Sequence, residues 1–220
     1  MDQHLIINGF IGYLSFLCAL SVHECAHAWT AWQCGDDTAR LLGRVTLNPA
    51  AHMELVGTVI LPLLAIFLAA SGSGAAAFII GWGKPVPVNP YNLRQPRRDD
   101  LLVSLAGPFS NIILAILLVA LSKIVLLTPF PIVVQMLQNI AFISLLLCFF
   151  NLLPIPPLDG SSLLRNLTSM STETYMRLSQ YGFIILIVVI NIPAVQYALS
   201  FLTQGTMLVL LLIFRVPWLS

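Results

Sequence analysis

Six apolar runs, separated by short polar stretches, set the pattern of this chain; they cover residues 5–33, 55–82, 101–127, 132–153, 181–202 and 206–219. A helix crossing a bilayer needs about 20 mostly apolar residues, so the pattern predicts an all-α polytopic membrane protein with about five to six transmembrane helices. The second run stands apart. Ser71-Gly-Ser-Gly74 interrupts it and Pro62 lies inside it. It is either one long span or a membrane hairpin that turns at the Ser/Gly cluster and returns. Prolines punctuate the rest. Pro85, Pro87 and Pro90 keep their neighbours extended, because a residue before proline is pushed out of the α region. Pro154, Pro156 and Pro157 stop the fourth run. The last two runs part at Gln204-Gly205. Residues 1–220 read as a single membrane-embedded domain, with a core over 5–164 and C-terminal helices within 181–219.

Composition supports this reading. Hydrophobic residues make up 58% of the 220, and only 9% are charged, against about 25% in a soluble domain. The net charge of +1 argues neither for nor against nucleic acid, but no basic patch is interleaved with aromatics, so no nucleic-acid partner is expected. Met1-Asp-Gln-His lacks the basic start of a signal peptide, so the first run is expected to be retained. Cys18, Cys25, Cys34 and Cys148 form no C-x-x-C pair, and neither a disulfide framework nor a cysteine ligand is expected. Charge also bears on topology. With the N-terminus outside and the second run a hairpin, Arg40, Arg44, Lys84, Arg94, Arg97, Arg98, Arg165, Arg177 and Arg215 share one side, and only Lys123 lies on the other. That is the positive-inside bias. A single crossing by the second run would destroy it, so the hairpin is preferred.

Candidate chemistry sits at the end of the first run, in His23-Glu24-x-x-His27. Residues four apart lie on one helix face, so the two imidazoles can meet one metal ion. Glu24 is about 100° round from His23, within reach of water on that metal. This is the pattern of two histidine ligands and a glutamate base in zinc proteases. In a soluble helix the same residues are commonly a solvated face. Here they continue an apolar run with no Lys or Arg beside the Glu, and ionisable groups at membrane depth mark function.

A catalytic zinc usually takes a third protein ligand. His4 is excluded, lying roughly 28 Å away by helical rise. Asp159 follows the proline break that ends the fourth run and falls at the same depth as the histidines; its bland role is a turn or cap before Gly160. His52 is the rival, as a ligand, a substrate-binding or supporting group, or a surface histidine. Asn151, at the end of an apolar helix, is either a helix-end cap or a donor to a substrate carbonyl or oxyanion. Asn111, behind Gly107-Pro108, reads as a packing residue, with an active-site role as the alternative. Trp29, Trp32 and Trp82 read as interfacial aromatics.

With H-E-x-x-H on one membrane helix and Asn151-x-x-Pro-x-Pro-x-x-Asp159-Gly160 ending a later one, the chain resembles the site-2 protease family of intramembrane zinc metalloproteases, in the short form without PDZ or CBS domains. The resemblance extends over about residues 14–164. It includes Gly35-Asp-x-Thr-Ala, Gly43-Arg-x-Thr-Leu-Asn-Pro49 with His52, Gly81-Trp-x-Lys-Pro-Val-Pro-Val-Asn-Pro90 and Ala106-Gly-Pro-x-x-Asn111. It implies that His23, His27 and Asp159 hold one zinc per chain, that Glu24 is the base, and that Asn151 assists the scissile peptide. The implied partners are a transmembrane protein substrate and the lipid bilayer. The implied setting is a bacterial or archaeal inner membrane, with the site towards the cytoplasm. Pro85–Val88 is a candidate edge for an unwound substrate strand. The competing functions are a zinc or proton transporter, which needs no base at Glu24, and an inactive membrane-binding homologue.

Overall fold

The computed structural model describes residues 3–74, 81–168 and 170–219, and among them there is no strand. The helices are α1 (Gln3–Gln33), α2 (Thr38–Leu41), α3 (Leu61–Ala70), α4 (Pro96–Val125), α5 (Pro131–Asn151), α6 (Asp159–Thr168), α7 (Thr172–Gln180), α8 (Gly182–Ile190) and α9 (Pro193–Phe214). Helices α1, α4, α5 and α9 are long and apolar enough to cross a membrane; α7 and α8, bent by 61° between them, make a fifth if they act as one span. Pro96, Pro131 and Pro193 stand at helix starts. There the missing N–H costs nothing and φ is already helical.

The second apolar run is a hairpin at its base. It leaves through a π-helical turn, Leu55–Ile60, continues into α3, and turns after Ala70. Residues 75–80 lie outside the described residues. At the return, the Trp82 N–H donates to the Gly57 carbonyl (3.1 Å) and the Thr58 hydroxyl donates to the Trp82 carbonyl (2.8 Å). Both ends of the run therefore meet, which a single crossing could not allow. Gly57 makes the contact possible, since a Cβ there would fall 2.5 Å from the Trp82 ring.

The C-terminal runs divide differently from the expectation. The break falls at Asn191–Ile192, and α9 runs unbroken through Gln204-Gly205. One glycine costs a helix only about 1 kcal/mol, whereas Pro193 favours a new start. Arg215 is also displaced from its expected side. Its carbonyl accepts from Lys123 Nζ at 3.1 Å, so it lies at the far end of α4, with Lys123. The other eight basic residues keep the bias that favours the hairpin.

The core follows from small residues. Helices α1, α4 and α5 pack against one another, and the fully buried Ala19, Ala28 and Ala31 of α1 let backbones approach closely. Ala115, Val119, Ala141, Leu145 and Met207 close the α4–α5–α9 side. The Ser144 hydroxyl donates to the Asn111 carbonyl at 3.0 Å, tying α5 to α4 at the level of the site.

Candidate metal centre and active site

The histidines occupy the last turns of α1. Beyond them the helix ends at Gly35, with φ +109°. The Asp36 N–H returns to the Ala31 carbonyl and the Gly35 N–H to that of Trp32, a Schellman cap that needs a left-handed residue. Helix α5 ends at Asn151, the prolines reverse the chain, and Asp159 opens α6. Gly160 is required there, because a Cβ would collide with the Leu152 carbonyl and come within 2.5 Å of the Leu153 oxygen.

The fold brings His23, His27 and Asp159 together. The two Nε2 atoms are 3.0 Å apart, and Asp159 Oδ2 is 3.2 Å from His23 Nε2 and 3.3 Å from His27 Nε2. Ligands on a tetrahedral zinc with bonds of 2.0–2.1 Å sit roughly 3.3 Å apart, so the spacing fits. The chemistry fits as well. His27 Nδ1 donates to the Val103 carbonyl at 2.7 Å, which leaves the Nε2 lone pair facing inward. Asp159 Oδ2 is buried and makes no hydrogen bond of good geometry. An imidazole lone pair and a carboxylate oxygen facing each other repel unless a cation lies between them.

These residues line a cavity of about 620 Å³ together with Glu24, Asn151, Trp82, Val86 and Val88. Glu24 follows His23 directly in α1 and lines the same cavity. Asn151 Nδ2 donates to the Leu147 carbonyl at 2.9 Å, one helical turn back, leaving its second N–H for the cavity. Trp82, expected as an interfacial aromatic, lines the cavity and meets Phe183 edge to face at 5.7 Å.

His52 is not brought to the triad and does not line the cavity. It is fully buried rather than on the surface. Its Nε2 lies 2.8 Å from the Thr46 carbonyl and its own carbonyl accepts the Lys84 N–H at 2.9 Å. It shapes the loop that carries the opposite wall.

That wall is the extended stretch around Pro85–Val88. Pro85 and Pro87 carry no N–H, so Val86 and Val88 hold the stretch's donors, and neither donates to any described residue. The stretch hangs from three loop residues. Besides His52, Arg44 donates to the carbonyls of Lys84 and Pro85, and burial lowers its pKa. Asp36, fully buried, accepts from Thr38, from the Asn89 N–H (2.7 Å) and from Asn92 Nδ2 (3.0 Å). Burial opposes its charge, yet these donors hold its pKa below the ordinary value. Sequence reasoning did not single out Asp36 or Arg44 as a scaffold. The signal was their place in two short polar motifs, Gly35-Asp-x-Thr and Gly43-Arg, in a chain otherwise poor in charge.

The model of peptidase family M50 matches residues 11–130 and 128–192. A Bacillus subtilis (strain 168) protein named "Putative zinc metalloprotease YwhC" is 35% identical over 194 residues, 84% of this chain and 82% of the relative. "Putative zinc metalloprotease Rip2" of Mycolicibacterium smegmatis is 32% identical over 190 residues, 84% of this chain and 67% of the relative. The Mycobacterium tuberculosis (strain H37Rv) protein of the same name is 34% identical over 188 residues, 85% and 62%. No solved structure matches. On the family match and these relatives, the chain belongs to peptidase family M50, the site-2 protease family.

Proposed function

We propose that this chain is an intramembrane zinc metalloprotease that hydrolyses peptide bonds within or beside transmembrane segments of membrane-protein substrates, with its site towards the cytoplasm of a bacterial or archaeal cell. The observation that carries the reading is the convergence of His23 Nε2, His27 Nε2 and Asp159 Oδ2 on a cavity that Glu24 also lines. One zinc per chain would be held by these three atoms. When bound, it supplies Lewis acidity that polarises a carbonyl and acidifies water.

The chain's own groups do the rest. Glu24 takes the proton of the attacking water and hands it to the leaving amine. The free N–H of Asn151 donates to the scissile carbonyl as charge develops on its oxygen. A helical substrate hides its peptide bonds, so it must unwind locally. The N–H groups of Val86 and Val88, unpaired among the described residues, then receive it as an extended strand. The apolar lining, with Phe16, Leu20, Phe150 and Leu186, restricts water to the reacting end.

The test combines metal content with cleavage. Wild type, Asp159→Ala and Glu24→Gln are purified without chelators, assayed for zinc by elemental analysis, and reconstituted with a panel of single-span peptides. Wild type should carry about one zinc and cleave. Asp159→Ala should lose most of the metal. Glu24→Gln should keep the metal and lose cleavage by at least about 100-fold. Cleavage undiminished in Glu24→Gln would remove Glu24 as the base, and metal transport with no cleavage would replace the protease with the transporter.

A further inference from the structure

The remaining partner of the metal-facing imidazoles is Asn111, the last residue of Ala106-Gly-Pro-x-x-Asn111, for which no site role follows from the triad alone. It lies in α4, fully buried, among α4 residues that are mostly apolar or small. Its side-chain amide meets His23 Nδ1 at 3.1 Å across the helix interface. Its Oδ1 is buried without a partner. Its backbone carbonyl is fixed separately by Ser144.

These facts conflict in one respect, and the conflict identifies the role. For His23 Nε2 to offer a lone pair, the ring proton must sit on Nδ1. The amide nitrogen facing Nδ1 can only donate, so it would require a bare Nδ1 and place the proton on Nε2, where a metal belongs. A 180° turn of the amide exchanges its nitrogen and oxygen within the same volume. Oδ1 then accepts from Nδ1–H, and the turn breaks no bond that Oδ1 makes now. His27 is already held in this way by the Val103 carbonyl. We propose that Asn111 Oδ1 is the positioning group for His23: it accepts the Nδ1 proton, fixes the tautomer that exposes Nε2, and sets the ring's angle to the metal. Helix α4 would then orient both histidines of α1, one through a main-chain carbonyl and one through this amide. The inference rests on the metal-site reading above.

Three substitutions at one position separate orientation from packing. Asn111→Asp keeps an acceptor at Oδ1, Asn111→Leu keeps the volume without it, and Asn111→Ala removes both. The readout is zinc affinity, measured by competition with a chromophoric chelator in detergent, beside the thermal unfolding of each metal-free protein. Leu and Ala should bind zinc about 10- to 100-fold more weakly than wild type, as lost outer-shell partners do. Asp should stay within about threefold of wild type, because a carboxylate is a strong acceptor for a metal-bound imidazole. If the residue only packs, the order reverses: Leu is tolerated and the buried carboxylate of Asp is the worst. Leu or Ala at wild-type affinity overturns the inference and leaves the metal centre standing. A wild type that binds no zinc overturns both readings.

Discussion

Two walls of one cavity are held in opposite ways. The wall proposed to hold the metal, called here the metal wall, is built from membrane helices. His23 and His27 on α1 are gripped by α4 through Asn111 and the Val103 carbonyl, and Asp159 arrives on α6 from the end of α5. The facing wall, Pro85–Val88, has no regular structure and is suspended from the loop side chains of Asp36 and Arg44 and the carbonyl of His52. The contrast separates two demands. Ligand atoms must be fixed within about 0.5 Å to bind metal, and close-packed helices supply that. A strand-receiving edge needs unpaired main-chain groups, which regular structure would consume.

Gly107→Ala tests the rigid wall and should have the largest effect. A Cβ at Gly107 would fall 2.6 and 2.7 Å from ring atoms of His23 and would also collide with His27 Nε2. Helix α4 must then move away from α1, or the rings must turn. Misplacements on this scale cost about 100-fold at a reacting centre. Zinc affinity and cleavage should both fall by about that factor, as read by chelator competition and peptide cleavage. Wild-type zinc affinity in this variant would mean that the metal wall is as adaptable as the edge.

The double substitution Val86→Pro with Val88→Pro tests the other wall. It removes the two N–H groups that are unpaired among the described residues, and nothing from the metal centre. Each hydrogen bond to a substrate strand is worth about 0.5–1.5 kcal/mol, so kcat/KM should fall about 10- to 100-fold with zinc content unchanged. Loss of zinc in this variant would show that the walls are coupled. Unchanged cleavage would remove the edge from the proposal.

The same division explains what the sequence disclosed. The metal wall was legible because ligand chemistry restricts residue types: H-E-x-x-H has a helical period, and Asp159-Gly160 follows a proline break that no span tolerates. The hairpin was legible because Arg and Lys report sidedness independently of hydropathy. The scaffold of the edge was not, because Asp36, Arg44 and His52 act through main-chain partners about 40 to 50 residues away, or through their own main chain, and side-chain type does not encode such partners. Asn111 was read as a packing residue, with an active-site role as the alternative, because its partner His23 lies on another helix. The C-terminal division was misplaced because Gln204-Gly205 carries the composition of a turn, while the continuous α9 depends on packing against α5.

Asp36 gives the smallest effect and the finest test of how the edge is hung. Its folded-state pKa is depressed by the donors from Thr38, Asn89 and Asn92, against about 3.9 in an unfolded chain. A depressed carboxylate is ionised in the native state while the unfolded chain takes up protons, so stability rises with pH across that interval. The contribution is complete above about pH 5 and disappears as pH falls through the folded value. Asp36→Asn keeps the size but replaces one acceptor oxygen with a donor, so one bond is lost and the rest lose their charge assistance. At pH 7 it should cost about 1–3 kcal/mol, seen as a lower midpoint of thermal unfolding, with cleavage reduced a few-fold and zinc retained. On acidification from pH 5 to 3, the gap between wild type and variant should narrow. A gap that stays constant with pH would mean that Asp36 holds Asn89 by shape alone. A loss of zinc would mean that the edge and the metal wall form one rigid unit.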